Sequence, residues 1–300
     1  KESQKYAIVD IETTGHSPAS GDRMIQIAIV IMQGWEIVKK YSTFINPGKP
    51  IPLFIQDLTN ITDEDVKDAL PFEAHADYIY ELLEGAVFVA HNTDFDLNFL
   101  QAEFNRAGIS KWHGKKIDTV ELTKILFPMS LSYKLADLAN DFHIELQSAH
   151  RADDDALATA YLLKHCWEEL LTLPLVTLEQ LHKRSFRLRT DLSQLFFDAL
   201  VIKRNKALTD EGHVFYRKIA IRKMAPTPKS DGDELVYPQT KDEKMALLLK
   251  GIPVFEERPQ QFQMMDSIWH AFNANAEHVI EASTGIGKTM GYLVPSIYYA

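Results

Sequence analysis

Two carboxylates near the start of the chain are the first residues whose type and spacing suggest chemistry. Asp10 and Glu12 lie two positions apart, after the apolar run of residues 6–9 and before Gly15. The run predicts a buried strand that ends in a turn, and in a strand two residues at this spacing point to the same face. Like charges on one buried face repel, so the pair needs a shared cation or protonation of one member. The alternative is that one of them is only a surface acid or a helix cap.

Two further acids are predicted to lie at the beginnings of helices. Asp96 follows a predicted buried strand at residues 86–90, and Asp155 lies in the first turn of a predicted helix over residues 152–171, five residues after His150. Each acid alone is typical of a cap or a surface residue. Together with the first pair they give four carboxylates at strand ends and helix N-termini, where open α/β sheets bind ligands. Such a set indicates a divalent-metal site for phosphoryl-ester hydrolysis.

A glycine-rich segment late in the chain is the second candidate site. It follows the strand-like residues 277–280 and fits a phosphate-binding loop with Ala in the first place. In such a loop backbone amides hold the phosphates of ATP, Lys288 reaches the β- and γ-phosphates, and Thr289 ligates Mg²⁺. An ordinary glycine-rich turn is the alternative. The predicted cofactor-binding residues of the loop are Ala282, Ser283, Thr284, Gly285, Ile286, Gly287, Lys288 and Thr289.

The segments around these residues predict the fold that positions them. Residues 24–32 are rich in Ile and Val, residues 35–45 alternate as an antiparallel neighbour would, and residues 116–120 are a further strand candidate. Apolar residues at helical spacing separate the later strands. Three mostly antiparallel strands followed by strands that alternate with helices predict an α/β fold, a mixed sheet flanked by helices on both faces.

The length of 300 residues suggests about two domains. We expect a first domain over residues 1–173, which closes at Leu-Pro, and the start of a P-loop domain over residues 241–300. The intervening residues 174–240 are expected to be a basic helical connector with a linker, because residues 225–233 are rich in Pro, Gly and Ser.

Charge is unevenly distributed along the chain. The net charge is −10, but residues 182–229 contain twelve Lys or Arg and four Asp or Glu. An acidic total therefore does not exclude a nucleic-acid partner, and the basic segment either guides nucleic acid or is a solvated connector. Its aromatic residues predict core packing, with base stacking as the alternative; they are Phe186, Phe196, Phe197, Phe215 and Tyr216.

The composition limits the class of protein. Hydrophobic residues make up 46% and charged residues 25% of the chain, which is ordinary for a globular protein. The single cysteine, Cys166, excludes an intrachain disulfide and a four-cysteine metal site. The first residues lack an apolar signal segment and no run approaches about 18 apolar residues, so we expect a cytoplasmic protein without a membrane partner.

Three motifs together resemble one nuclease family. The stretch Asp10-Ile11-Glu12-Thr13-Thr14-Gly15, the stretch His91-Asn92-x-x-Phe95-Asp96 and the pair His150-x4-Asp155 are similar to the motifs of DnaQ-like (DEDDh) 3′–5′ exonucleases. The likeness covers residues 5–170. A tyrosine form of the family would have Tyr four residues before the last Asp, where this chain has Arg151, so the histidine form is favoured. The fold that the resemblance implies is ribonuclease H-like.

This resemblance implies a site and a reaction. Asp10, Glu12, Asp96 and Asp155 would hold two Mg²⁺ or Mn²⁺ ions, which activate a water and stabilise the developing charge. His150 would accept the proton of that water, a role that suits a reference pKa of about 6.5; a cap that only orients Asp155 is the alternative. The implied substrate is single-stranded nucleic acid with a free 3′ end, DNA in particular, and the implied products are nucleoside 5′-monophosphates.

The glycine-rich loop resembles the start of DinG-type, XPD-like helicases of superfamily 2. The combination of the two expected domains is similar to that of DinG-type proteins with an N-terminal exonuclease. Arg258 and Gln261 resemble the Q-motif that recognises adenine in these helicases. Helicase or ATPase activity is not expected of these 300 residues, because no second motor acid follows the loop. The competing hypothesis is a nucleic-acid-binding ATPase or helicase fragment whose nuclease fold is non-catalytic. The five intact nuclease residues argue against it.

Overall fold

The computed structural model describes residues 4–145, 151–205, 212–223, 236–251, 257–283, 285 and 287–299. Three of the predicted site residues, His150, Thr284 and Ile286, lie outside the described residues. The chain divides into two compact units, Lys1–Lys223 and Met224–Ala300. No helix in the described part of the chain is long and apolar enough to span a membrane.

The first unit contains a mixed five-stranded sheet, as the sequence predicts. The strand order is β3-β2-β1-β4-β5; β2 is antiparallel to both β1 and β3, whereas β4 is parallel to both β1 and β5. The parallel strands β1, β4 and β5 therefore end at the same edge of the sheet. The strands are β1 (Lys5–Thr13), β2 (Met24–Gln33), β3 (Glu36–Phe44), β4 (Val87–Ala90) and β5 (Lys116–Asp118).

Helices cover both faces of this sheet, so the predicted α/β class is confirmed. Tyr6 and Ile8 of β1 enter a core formed with α7, whereas Ala7 and Val9 enter a second core formed with α3 and α4. The helices are α1 (Leu53–Thr59), α2 (Asp63–Val66), α3 (Ala76–Leu83), α4 (Thr93–Arg106), α5 (Thr119–Leu126), α6 (Leu135–Asp141), α7 (Ala152–Thr172), α8 (Leu175–Ser185) and α9 (Leu192–Asn205), with short 3₁₀ turns at Pro18–Ser20 and Phe72–Ala74.

The chain beyond residue 173 continues into the same core. Leu178 of α8 and Leu192, Phe196 and Leu200 of α9 are buried in the cluster that contains β1 and α7. The first compact unit runs to residue 223 and ends in an antiparallel hairpin of β6 (His213–Tyr216) and β7 (Ile219–Arg222). The region expected to be a connector therefore supplies two helices of the first unit's core.

The prediction that the aromatic residues of the basic segment pack in a core is confirmed for one of them. Phe196 is buried in the cluster of α7 and α9. The other four are exposed, up to 74% for Phe186, because Phe197 lies on the outer side of α9 and Phe215 and Tyr216 lie on a two-stranded hairpin. For those four the prediction is wrong.

The second unit consists of helices in its described part. These are α10 (Lys241–Gly251), α11 (Pro259–Ala274) and α12 (Lys288–Tyr299), which share a small core of Tyr237, Leu248, Phe262, Met265 and Val294. The prediction of a strand at residues 277–280 is wrong, since those residues have no regular structure and Val279 is fully exposed. A strand requires a neighbour for its backbone hydrogen bonds, and no other strand occurs among the described residues of this unit.

Candidate active site

Strand β1 places two of the predicted ligands on one face of the sheet. The register with β2 is regular up to Glu12, so Asp10 and Glu12 follow Tyr6 and Ile8 in the alternation and lie on the face covered by α7. The first shift in register comes between Glu12 and Thr13, after the second carboxylate. The two-residue spacing in the sequence thus places both carboxylates on the face that α7 covers.

Helix α7 brings the third carboxylate to that face. Arg151 is its N-cap residue, and the backbone N–H of Asp155 donates to the carbonyl oxygen of Arg151 at 2.9 Å, so Asp155 lies in the first turn. The helix packs closely against the sheet because its buried stripe contains small residues such as Ala152 and Ala156. Oxygen atoms of Asp10, Glu12 and Asp155 lie within 4.8 Å of one another.

A buried glutamine that sequence analysis missed fixes the start of α7. Gln26 of β2 is the cross-strand partner of Glu12. Its Oε1 accepts the backbone N–H of Ala152 at 3.2 Å, and its Nε2 donates to Asp153 Oδ1 at 3.3 Å. Gln26 therefore holds the first turn of α7, with Asp155, against the strand that carries Glu12. The only available signal was a polar residue within an Ile- and Val-rich run.

The fourth carboxylate, Asp96, approaches from the opposite face. It lies in the first turn of α4 and is 4% exposed, close to the backbone N–H groups of its own residue and of Ile11, which favour its charged form. Burial raises its pKa well above the usual range, and the charges of Glu12 and Asp118 raise it further. Asp96 is not in the group of three whose oxygens lie within 4.8 Å, but its charge acts on Asp10.

The electrostatics of this group fit a divalent cation. Burial raises the pKa of Asp10 well above its usual range, and the charges of Asp96, Asp155 and Glu12 add to the increase. Burial also raises the pKa of Glu12 to about 8, again with a contribution from Asp155. Carboxylate oxygens alone form the donor set, which suits hard ions such as Mg²⁺ or Mn²⁺ rather than a thiolate-seeking metal. A cation at this point would favour the charged carboxylates and so offset both the burial and the mutual repulsion that raise these pKa values.

The turn after β1 is held in one conformation beside the carboxylates. The backbone N–H of Thr14 donates to the carbonyl oxygen of Arg23 at 2.8 Å, and the N–H of Arg23 donates to Thr14 Oγ1 at 3.0 Å. A side chain at Gly15 would place its Cβ 2.4 Å from Asp22 Oδ2. Any side chain at Gly15 would therefore displace the Asp22 carboxylate from its hydrogen bond with the Ser17 N–H.

The histidine of the second motif, His91, has a structural role. The Nδ1 of His91 lies 2.8 Å from Thr119 Oγ1, and its Nε2 lies 2.8 Å from the carbonyl oxygen of Tyr133. Burial lowers the pKa of His91. The next residue, Asn92, takes the left-handed conformation with φ of 82° as the N-cap of α4. Both ring nitrogens of His91 are engaged, so it ties the end of β4 to the start of α5 and to the segment at Tyr133.

In the second unit, the two Q-motif residues contact the glycine-rich loop. Gln261 Nε2 donates to the carbonyl oxygen of Gly287 at 2.7 Å. The guanidinium of Arg258 donates to the carbonyl oxygen of Gly285. Lys288 Nζ, at the start of α12, lies 2.9 Å from the carbonyl oxygen of Ser283. The remaining predicted residues of the loop in the described part, Ala282 and Thr289, adjoin these contacts in the chain.

Comparisons with known proteins found a family model and relatives that match this chain. The family model described as Exonuclease (RNase_T) matches residues 7–163. A relative called 3′-5′ exonuclease DinG from Bacillus subtilis is 38% identical over 304 residues, and a relative with the same name from Staphylococcus aureus is 36% identical over 299 residues. These alignments cover 99% and 98% of this chain but 32% of each relative, so the chain spans about a third of their length.

Solved structures share the fold of the first unit. A structure of exonuclease I is similar with a TM-score of 0.50 and 20% identity, over 56% of this chain and 43% of that one. The nuclease domain of 3′hExo, a DEDDh family member bound to rAMP, is similar with a TM-score of 0.50 and 16% identity, over 56% of this chain and 93% of that one. At these identities the likeness concerns the fold alone.

Proposed function

The chain belongs to the Exonuclease family, whose model covers more than half of it, and from this premise we propose that it is a divalent-metal-dependent 3′–5′ exonuclease. The proposed substrate is single-stranded nucleic acid, DNA in particular, and the proposed products are nucleoside 5′-monophosphates. The observation that carries the proposal is the convergence of Asp10, Glu12 and Asp155 within 4.8 Å, with Asp96 electrostatically coupled to them. The names of the relatives from Bacillus subtilis and Staphylococcus aureus support the direction of degradation.

We assign Asp10, Glu12, Asp96 and Asp155 as the residues that hold Mg²⁺ or Mn²⁺. When bound, such ions acidify a water and neutralise charge on the phosphate. The chain itself supplies the frame: β1 fixes two carboxylates, Gln26 fixes the start of α7, and the backbone of Ile11 orients Asp96. These groups are in place before substrate arrives, which lowers the reorganisation cost of the reaction.

We further propose His150 as the group that accepts the proton of the attacking water. In the chain it directly precedes Arg151, the N-cap residue of α7, and imidazole titrates near neutral pH. Replacement of His150 by Gln should lower the rate on oligonucleotides by about a hundredfold, since a general base contributes on this scale. Metal affinity, measured by Mn²⁺ titration, should stay close to that of the parent because all four carboxylates remain. An unchanged rate would remove His150 from the mechanism.

A labelled strand tests the proposed activity. A single strand of DNA with a 5′ label should give a ladder of successively shorter labelled products in Mg²⁺ or Mn²⁺, and no products in EDTA. A matched strand blocked at its 3′ end by an inverted nucleotide should survive under the same conditions. Digestion in EDTA, or equal digestion of the blocked strand, would contradict a metal-dependent 3′–5′ exonuclease.

The glycine-rich loop supports a second candidate function, binding of the phosphates of ATP by residues 282–289 with Arg258 and Gln261 beside them. The contacts of Gln261 and Arg258 to loop carbonyl groups favour this candidate, because they link the two motifs in one place. Mg·ATP should raise the melting temperature of the parent protein more than that of the Lys288→Ala variant. If the melting assay shows ATP binding but the labelled strand is not digested in the nuclease assay, the competing hypothesis holds. The chain is then a nucleic-acid-binding ATPase or helicase fragment with a non-catalytic nuclease fold.

A further inference from the structure

A cleft of about 340 Å³ lies at the β5 end of the sheet, separate from the four carboxylates. One wall is the start of α4, with Asn92 and Asp94, and a second is α5, with its N-cap Asp118 and with Lys124 in its last turn. The third wall is the loop between α8 and α9, with Arg189. This loop lies outside the segment matched by the family model, whereas the other two walls lie within it.

The loop between α8 and α9 is bound firmly to the cleft. Glu121 accepts the backbone N–H of Arg189 at 3.1 Å, and its other oxygen accepts both the N–H and the hydroxyl of Thr190, at 3.2 and 2.6 Å. Asp94 accepts Lys116 Nζ at 2.7 Å and also the guanidinium of Arg189. Lys116 and Arg189 therefore compensate the charge of Asp94, whereas Glu121 and Asp118 keep their charges and accept hydrogen bonds from backbone N–H groups and the Thr190 hydroxyl. A phosphate would accordingly be held by the exposed parts of the two cations and not by the floor of the cleft.

Two long cationic side chains reach out of the cleft. The side chain of Arg189 is 78% exposed although one nitrogen contacts Asp94. The side chain of Lys124 is exposed, and its ammonium lies 5.6 Å from the ring centre of Tyr133. The guanidinium of Arg189 has five N–H donors, and the carboxylate of Asp94 uses only some of them. The ammonium of Lys124 is a compact point charge. Together they suit the non-bridging oxygens of a phosphodiester.

The cleft lies at a suitable distance from the carboxylates for a strand of nucleic acid. Strands β1, β4 and β5 are parallel neighbours and end at the same edge, so the end of β5 is about 10 Å from the end of β1, at about 4.8 Å per strand. A stacked strand advances about 3.4 Å per nucleotide, so this span corresponds to about three nucleotides. Asn92 at the cleft also lies one helical turn before Asp96.

We propose that this cleft binds the phosphodiester backbone of the substrate strand on the 5′ side of the scissile bond, with Arg189 and Lys124 as phosphate ligands. The inference rests on the proposed function for the identity of the strand and its orientation. The region following residue 173 would then complete the substrate surface of the nuclease in addition to its packing role. A phosphate would share Arg189 with Asp94, which retains Lys116 as its partner.

Binding in the absence of metal tests the cleft without requiring catalysis. The affinity for a short single strand of DNA, measured by fluorescence anisotropy in EDTA, should fall about tenfold for Arg189→Ala and for Lys124→Ala, which is the scale of a charged hydrogen bond. The slope of log affinity against log salt should become shallower by about 0.7 for each cation removed from the phosphates. The matched control is Arg187→Ala, an exposed cation of the same loop that does not line the cleft.

Equal affinities for parent, Arg189→Ala, Lys124→Ala and Arg187→Ala would overturn the proposal. An equal loss for Arg187→Ala and Arg189→Ala would also overturn it, because the effect would then reflect net charge alone. Thermal unfolding of each variant shows whether the fold is kept. If Arg189→Ala does not fold, Lys124→Ala decides, since among the described residues its ammonium contacts only the ring of Tyr133.

Kinetics separates failure of the cleft from failure of the proposed activity. The p-nitrophenyl ester of thymidine 5′-phosphate carries a single nucleotide and cannot reach the cleft and the carboxylates together. For Arg189→Ala, kcat/KM on an oligonucleotide should therefore fall about tenfold more than kcat/KM on this ester. If the two losses are equal, the cleft proposal is contradicted. If the parent hydrolyses neither compound in Mg²⁺ or Mn²⁺, the proposed function fails, while the binding measurements still decide the cleft.

Discussion

At the scale of the residue, the carboxylates show what sequence spacing can and cannot predict. The two-residue spacing of Asp10 and Glu12 predicts a shared face because strand geometry is local, and the structure has that face. Gln26 was missed because its role depends on cross-strand pairing with Glu12 and on the start of α7, which lies 126 residues away in the chain. The elevated pKa values depend on burial and on charges from three separate elements, so no local pattern predicts their size.

The raised pKa of Glu12 predicts how stability depends on pH without metal. Folding raises this pKa from 4.5 to about 8, mainly through burial. Between these values the folded protein keeps a proton that the unfolded chain has lost, so the free energy of unfolding should fall as pH rises. Urea denaturation in EDTA should show this decline between about pH 5 and about pH 8.

The control for this dependence is Glu12→Gln, which cannot ionise. Its free energy of unfolding should decline less over the same range, and at the upper end it should exceed that of the parent. A Glu12→Gln variant that declines as steeply as the parent would show that Glu12 is not the group responsible.

The glycine of the first motif gives a prediction about the turn beside the site. A methyl group at Gly15 would lie 2.4 Å from Asp22 Oδ2, so Gly15→Ala must displace that carboxylate or the turn. We expect a loss of about 1 kcal/mol in the free energy of unfolding, the scale of the hydrogen bond from the Ser17 N–H to Asp22 that must be disturbed. In urea denaturation, most of this loss should be absent when Gly15→Ala is made in the Asp22→Ala variant. The same loss in both backgrounds would contradict the assigned clash.

At the scale of the element, sequence patterns predict the main strands and long helices but not their packing. Helix α7 is predicted at residues 152–171 and found at Ala152–Thr172, since a long amphipathic segment is determined locally. The role of α9 was missed because its basic charges suggested a connector. Its buried residues Leu192, Leu195, Phe196 and Ala199 nevertheless have helical spacing, so a signal was present. The prediction of a strand at residues 277–280 was wrong because a β-strand requires a partner strand, which a local sequence pattern does not reveal.

A buried ion pair that ties α4 to the sheet provides an element-scale prediction. The fully buried Glu103 of α4 accepts Arg23 Nε at 2.9 Å and lies 2.9 Å from Arg106 Nη1. Glu103→Ala leaves both cations without this partner and should lower the free energy of unfolding by about 2–3 kcal/mol, since the two arginine side chains are partly exposed to solvent. The exposed pair of Glu64 and Lys67 is the control, since Glu64→Ala should change it by less than about 1 kcal/mol. If urea denaturation shows the same small loss in the free energy of unfolding for Glu103→Ala and Glu64→Ala, the buried pair does not anchor α4.

At the scale of the whole molecule, two units were predicted from length and from the proline-rich stretch at residues 225–233, and the structure divides near that stretch. The end of the nuclease unit was harder to predict, because the family motifs stop at Asp155 and give no information on what packs behind them. Helices α8 and α9 cover the core on the α7 side, and their loop also forms one wall of the cleft. The motifs thus predict the site, whereas the fold around it extends well beyond them.

This arrangement predicts different behaviour for two truncated chains. A chain of residues 1–173 would expose the apolar surface that Leu178, Leu195 and Phe196 cover, so it should aggregate or melt without cooperativity. A chain of residues 1–223 retains the whole first unit and should melt cooperatively. Size-exclusion chromatography and thermal melting compare the two. If the chain of residues 1–173 melts at the same temperature as the longer one, α8 and α9 are not part of the folding unit.

The most direct test of a metal-dependent exonuclease compares two neighbouring acids in the first turn of α7. Asp155 belongs to the group of three carboxylates, whereas Asp154, the preceding residue, does not. In Mg²⁺, Asp155→Asn should trim a single strand of DNA about a thousandfold more slowly than the parent, since metal-assisted charge stabilisation is worth several kcal/mol. Asp154→Asn should trim it at close to the parent rate. An Asp155→Asn variant that matches both the parent and Asp154→Asn would contradict the assignment of this site.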